Sequence, residues 1–351
     1  MFSKKLVLPV LFGMVVTVGG FMVYRNFRNT PQDTSQSNEV GQQNVTSSSD
    51  KQESSVENFH AVSLPSLFKK DLQGSNFTVG QKLSDNAEYT RYYITYKSGE
   101  LKISGIMNVP KGPYPDGGFP LLILNHGYID PVVYTNGRGL RREQDYLVKQ
   151  GFVVIHPDYR NHASSDKDPE ADFNFRLGYV EDVINVVEAL EKAELGFVNT
   201  KRAGMLGHSM GGGVTMNAVV VKPDLIKAAI LYAPVSSNYA DNFDRWTRPD
   251  SNRRVLAEKV IATYGDPVSN PKFWDNISVG NFFSRVNIPI KIFHGTKDES
   301  VPLEWSKVTE TKLKQAGKSV ELVIYENEPH EFGLKWTDFM QQTTKFFKEN
   351  L

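Results

Sequence analysis

One segment of the chain can supply an activated nucleophile, Gly207-His208-Ser209-Met210-Gly211. A serine flanked at two positions on either side by glycine fits a sharp strand-to-helix turn, with its hydroxyl exposed and its backbone strained. A side chain at either glycine would crowd the turn. The serine would also stand at a helix N-terminus, where unpaired N–H groups stabilise developing negative charge. The flanking sequence offers both elements, an apolar run at 203–206 and a helical stretch at 212–221. Ser209 is therefore the candidate nucleophile, against the alternative of an inert serine in a glycine-rich helix start.

A nucleophilic serine needs a base, and the base needs an orienting acid. The chain has seven histidines. His330 lies in the loop Asn327-Glu328-Pro329-His330-Glu331-Phe332, between a final apolar run and a final helical stretch. That is the place for a loop-borne base, with His162 as its main competitor. His208 adjoins Ser209 and should point away. His126, His156 and His294 end apolar runs and suit packing, and His60 stands apart from the repeating pattern. The acid should fall between serine and histidine at a strand end. Asp298 does so in Ile292-Phe293-His294-Gly295-Thr296-Lys297-Asp298; Glu299, Asp266 and Asp275 are the other candidates. The oxyanion that forms on attack needs two preorganised donors. Met210 N–H is one candidate. Tyr128, in Asn125-His126-Gly127-Tyr128, is the other, through its N–H or secondarily its hydroxyl.

These residues need a frame. Residues 89–96 and 101–109 are β-prone and separated by Lys97-Ser98-Gly99-Glu100, which reads as a hairpin. Short apolar runs follow at 121–124, 152–155, 203–206, 228–232, 290–293 and 321–325. Their length and composition suit strands buried on both faces. Between them, Leu177, Val180, Val183 or Ile184, Val187 and Leu190 form an apolar stripe at helical spacing; 301–316 and 336–347 also read as helices. The pattern predicts an α/β fold with a mostly parallel, eight-stranded sheet between helices. Residues 236–285 break the rhythm and are rich in aromatics, which suggests a cap over a site. Those aromatics could line an apolar pocket or simply pack the cap.

The N-terminal part reads differently. Lys4 and Lys5 precede an apolar run at 6–24, close to the length that spans a bilayer. Residues 29–58 are mostly Ser, Gln, Asn, Thr and Glu, too poor in apolar surface to fold. The expected organisation is a membrane anchor or signal segment at 1–28, a disordered tether at 29–58 and a catalytic domain at 59–351. The domain would lie outside the cytoplasm, anchored or secreted after signal cleavage.

At this level the chain resembles the α/β-hydrolase fold, and within it the catalytic domain of the prolyl oligopeptidase family of serine peptidases. The resemblance rests on the elbow around Ser209, the order Ser209, Asp298, His330 and the His126-Gly127 turn. Two further runs carry it, 289–302 (PIKIFHGTKDESVP) and 317–332 (GKSVELVIYENEPHEF). His156-Pro157-Asp158-Tyr159-Arg160 and the helix with Glu181-Asp182-Val183 also fit. It covers about 89–351 and implies Ser209 as nucleophile, His330 as base and Asp298 as orienting acid. Two departures stand out. About thirty residues between tether and hairpin leave no room for the family's β-propeller, and Asn161-His162 stands where the family usually has glycine.

The expected function is thus a serine hydrolase cleaving short peptide, amide or ester bonds through an acyl-enzyme. A carboxylesterase for small esters is the alternative within that class, and a membrane-tethered, non-catalytic binding module the alternative outside it. Forty basic and forty acidic residues balance, giving no electrostatic reason to bind nucleic acid. The absence of cysteine excludes a thiol nucleophile, a disulfide scaffold and Cys-ligated metal. Gly211-Gly212-Gly213 lacks the Lys-Ser/Thr of a phosphate loop. The chemistry requires no cofactor.

Overall fold

The parallel strands were expected to be buried on both faces, and the computed structural model, which describes residues 59–351, shows how. In chain order the elements begin with α1 (Leu64–Phe68), β1 (Gly74–Asp85), β2 (Tyr89–Ser98), β3 (Leu101–Pro110), β4 (Phe119–Asn125), α2 (Arg141–Lys149), β5 (Val153–Pro157) and α3 (Leu177–Ala193). They continue with β6 (Val198–His208), α4 (Met210–Val221), β7 (Ala228–Tyr232), α5 (Tyr239–Trp246), α6 (Arg254–Tyr264) and α7 (Pro271–Ile277). The last are β8 (Ile290–Gly295), α8 (Leu303–Gln315), β9 (Val320–Tyr325) and α9 (Trp336–Asn350). The described residues fall in one compact unit. Among them no helix is long and apolar enough to cross a membrane; the expected anchor and tether lie outside the described residues.

The strands form one sheet in the order β1-β2-β3-β5-β4-β6-β7-β8-β9. The stretch from β5 to β9 is parallel, while β1, β2 and β3 pair antiparallel and β3 joins β5 antiparallel. This corrects the expectation of eight strands. All eight expected strands are present, and the ninth is β1. Its sequence, GSNFTVGQKLSD, lies largely exposed at the sheet edge and lacks apolar alternation. Pairing with β2 and anchorage to α3 hold it instead: Lys192 Nζ donates to Gly74 O at 2.8 Å.

Period-two alternation divides the core. Leu121, Ile123, Met205, Leu231 and Ile292 face α3 and α4, whereas Leu122, Leu124, Leu206, Ile230 and Phe293 face α2 and α9. The stripe Leu177, Val180, Val183, Ile184, Val187 and Leu190 is buried on α3, as its spacing required. Residues 236–285, the expected cap, lie between β7 and β8 and contain α5, α6 and α7; Phe243, Tyr264, Phe273 and Trp274 cluster with Phe175, whereas Val279 and Phe283 join the core under the sheet.

Candidate active site

Ser209 stands at φ 55°, ψ −120°, between the end of β6 and the start of α4. Such a backbone costs of order 1–3 kcal/mol in a non-glycine residue and persists only when its surroundings dictate it. They do so here. Ser209 N–H donates to Tyr232 O at 2.9 Å, and Ser209 O accepts from Gly212 N–H and Val235 N–H at 2.9 and 3.2 Å. The two glycines are obligatory for close approach. A Cβ on Gly207 would lie 2.2 Å from Gly211 O, and one on Gly211 would lie 1.9 Å from Asn125 O.

His330 follows β9, and its Nδ1 lies 2.8 Å from Asp298 Oδ2. Asp298 follows β8, and its Oδ1 accepts from the N–H groups of Ser300 and Val301 at 2.9 and 2.7 Å. Burial opposes ionisation of Asp298, but hydrogen bonds from His294, His330 and Val301 N–H prevail and hold its carboxyl well below the usual range. With Asp298 ionised and able only to accept, the hydrogen of this contact belongs to His330 Nδ1, which donates it. The His330 backbone is fixed as well: its N–H donates to Glu299 Oε2 at 3.2 Å, and its carbonyl meets His208 Nε2 at 3.2 Å. Glu299 thus holds the main chain of the histidine, while Asp298 holds its ring.

The remaining histidines are placed otherwise. His162 is buried, its ring nitrogens near Arg160 O and Ile129 O, and burial lowers its pKa. His126 and His208 are each pushed down to about 3, chiefly by burial and then by His162 and His330 respectively. His156 stacks on His126, and burial carries its pKa well below the ordinary value. His60 is exposed and packs edge-on against Tyr264 and Phe273 of the cap. His294 is more than packing. Its Nε2 lies 3.1 Å from Asp298 Oδ2, and Ser306 Oγ and Val301 O fix the ring. No local sequence signal marks this role, because the contact forms only through the turn after β8. Asp266 and Asp275 remain in the cap, bonded to Arg248 and Asn281.

The turn after β4 approaches the serine so closely that a Cβ on Gly127 would lie 3.2 Å from Ser209 Cβ. Tyr128 follows, half-exposed, its ring under the guanidinium groups of Arg176 and Arg253 at 4.9 and 5.1 Å. Met210 occupies the first position of α4, where a helix leaves N–H groups without an intrahelical acceptor. Behind this turn the buried Asp158 carboxylate accepts from Ser104, Tyr134, Asn136 and Gly137 N–H. Arg160 grips buried Asp182 through Nε and Nη2 at 3.1 and 2.8 Å. Asn161, which replaces the glycine expected from the family, takes φ 70° and ties itself to Asp168 through both side-chain atoms. Asparagine tolerates this left-handed backbone better than most residues.

Tyr128, Ser209, Met210 and His330 line one cavity of about 420 Å³ under the cap. Cap aromatics divide between the two expected roles: Tyr239 and Trp246 line it, whereas Phe243, Phe273 and Trp274 fill the cap core. Among the described residues no group of three or more His, Asp or Glu side chains could hold a metal ion.

The family model for the prolyl oligopeptidase family matches residues 138–351, which include the elbow, Asp298 and His330. The chain belongs to the prolyl oligopeptidase family. It is a serine hydrolase of that family. It is 26% identical to the uncharacterized peptidase YtmA of Bacillus subtilis over 258 residues, 73% of this chain and 93% of that protein. It is 24% identical to mouse dipeptidyl peptidase 8 over 251 residues, 69% of this chain but only 25% of that protein. Among solved structures, acetyl xylan esterase from Paenibacillus sp. R4 superposes with a TM-score of 0.61 at 17% identity, covering 82% of this chain and 92% of the esterase. Pyrococcus horikoshii acylaminoacyl peptidase gives 0.59 at 19%, covering 77% and 44%. At these identities the structural matches establish the α/β-hydrolase fold.

Proposed function

We propose that Ser209, His330 and Asp298 form a catalytic triad that hydrolyses short peptide, amide or ester bonds. The observation that carries this reading is the 2.8 Å bond from His330 Nδ1 to Asp298, in a loop whose imidazole shares a cavity with the strained Ser209. Ser209 Oγ attacks the carbonyl carbon while its proton passes to His330 Nε2. The N–H groups of Tyr128 and Met210 receive the oxyanion. Collapse expels the leaving group, which takes the proton from His330, and leaves an acyl-enzyme. A water molecule, deprotonated by His330, then releases the acid and restores Ser209. Asp298 stabilises the imidazolium and keeps the proton on Nδ1 in the resting enzyme.

Peptide and amide substrates are favoured by the near full-length match to a protein named as a peptidase. The ester reading draws support from an esterase whose fold is covered at 92%. Turnover of aminoacyl and dipeptidyl nitroanilides, compared with short-chain nitrophenyl esters, separates them. Amide cleavage that disappears in Ser209→Ala supports a peptidase; Ser209-dependent cleavage of esters alone moves the assignment to a carboxylesterase. The apolar run at 6–24 supports a membrane anchor, and we propose in addition that the hydrolase faces outward. Protease treatment of intact cells tests this, since a cytoplasmic domain would survive untouched.

A further inference from the structure

Two arginines line the cavity that holds Ser209 and His330. Arg176 immediately precedes α3 and Arg253 immediately precedes α6, yet they meet at one side chain. Their guanidinium carbons stand 4.9 and 5.1 Å from the centre of the half-exposed Tyr128 ring, which lines the same cavity. Arg176 Nη1 also lies 3.2 Å from Met210 Sδ, on the residue that follows the nucleophile. The pair therefore stands beside Tyr128 and Met210, the two residues assigned to the oxyanion.

The two guanidinium groups are not equally satisfied. Arg176 Nε donates to Asp172 Oδ1 at 2.6 Å, and its contact with the Met210 thioether is to a weak acceptor. Arg253 has no hydrogen-bond acceptor for its side chain among the described residues. Asp250 Oδ2 lies 3.7 Å from its Nε, beyond hydrogen-bond reach, and Asp250 Oδ1 is engaged with Asn252 N–H at 2.9 Å. The formal charges of the two arginines and two aspartates cancel, but water does not reach them equally. The arginine side chains are 18% and 21% exposed, whereas Asp172 and Asp250 are 47% and 37% exposed and better screened. A guanidinium presents up to five N–H donors in a planar fork. Withdrawn from water on the wall of a cavity and left without an acceptor, it calls for one from the molecule that enters. The partner that matches both its charge and its fork is a carboxylate.

We propose that Arg253, supported by Arg176, selects substrates whose acyl portion carries a carboxylate. Such a group is the side chain of an acidic residue in a peptide, or the free acid of a dicarboxylic half-ester. The inference rests on Ser209 being the nucleophile. The acyl side is assigned because His330 must hand its proton to the leaving atom, so the leaving group lies toward His330, whereas the arginines gather at Tyr128 and Met210. Both are specificity residues and take no part in the bond-breaking steps.

The test uses the full-length chain and ethyl esters of straight-chain acids, from four to ten carbons, whose far end is a carboxylate, a carboxamide or a methyl group. Hydrolysis is followed by proton release at constant neutral pH. All share one leaving group, so only the acyl portion varies, and the carboxamide matches the carboxylate in shape but not in charge. At the best length, kcat/KM for the carboxylate should exceed that for the carboxamide by ~10-fold or more. Arg253→Gln should bring that ratio close to one. Arg176→Gln should lower it as well and covers the case in which Arg253→Gln does not fold. A merely structural role would slow all three esters alike and leave the ratio unmoved. The proposal is overturned if the parent shows no preference for the carboxylate at any length, or if the variants keep the parent's ratio. Ser209→Ala separates the two layers. Turnover that survives it refutes the triad, whereas Ser209-dependent turnover without a carboxylate preference refutes only the arginine site.

Discussion

Replacing Asp298 by asparagine changes one atom of the site and should remove nearly all activity. Asp298 Oδ1 accepts from Ser300 and Val301 N–H, so the asparagine oxygen must occupy that position to keep both bonds. Turning the amide over would forfeit them, at roughly 1 kcal/mol each. The new NH2 then replaces Oδ2, facing His330 Nδ1 at 2.8 Å and His294 Nε2 at 3.1 Å. An N–H cannot bond an N–H, so His330 must place its proton on Nε2, where the lone pair is required. The imidazolium that forms on attack also loses its counter-charge. Together these effects amount to about 10⁴ in kcat, or roughly 5.5 kcal/mol of barrier. Parent and variant would be compared on a nitrophenyl ester after active-site titration, with thermal unfolding as a check on folding. A folded Asp298→Asn variant within tenfold of the parent kcat would refute the reasoning, because the tautomer would then not matter.

Other expectations follow from the same geometry. Gly211→Ala places a methyl group 1.9 Å from Asn125 O, a main-chain atom that cannot rotate away; it should cost about 3 kcal/mol or more, read as a depressed unfolding midpoint. Arg160→Met leaves Asp182, wholly buried, without its partner and should destabilise by about 3–5 kcal/mol in denaturant titrations. Tyr128→Phe should retain kcat within roughly tenfold, since the oxyanion donor assigned to this residue is its N–H; a loss of about 10²–10³ would transfer the role to the hydroxyl. The pKa of Asp298 is depressed in the folded state, so the unfolded chain binds the extra proton first on acidification. Its contribution to stability is complete above the ordinary carboxylate pKa, near 4, and is lost as the pH falls through the folded value. Asp298→Asn should therefore flatten the acid-side fall in unfolding midpoint below about pH 4.

The parts of this site that could be read in the sequence are local ones. Gly207, Ser209 and Gly211 sit within five residues, and the steric demand of the turn is written in their spacing. Asp298 and His330 could be found because each follows an apolar run in an alternating pattern, so chain order stands in for position. The edge strand β1 had no such signal, because what holds it is backbone pairing with β2 rather than an apolar face. The Asp158 hub was equally hidden: its donors come from Ser104, Tyr134, Asn136 and Gly137, and no local rule relates them. Likewise, His294 resembled a packing residue, and its bond to Asp298 emerges only when the turn after β8 folds back.

Covalent labelling of the full-length chain with an organophosphonate, followed by peptide mass mapping, tests the central claim most directly. The account predicts a single adduct on Ser209, stoichiometric loss of ester and amide hydrolysis with labelling, and a fall in kcat on the order of 10⁶ in Ser209→Ala. An adduct on another residue, or a Ser209→Ala variant that keeps turning over substrate, would contradict it.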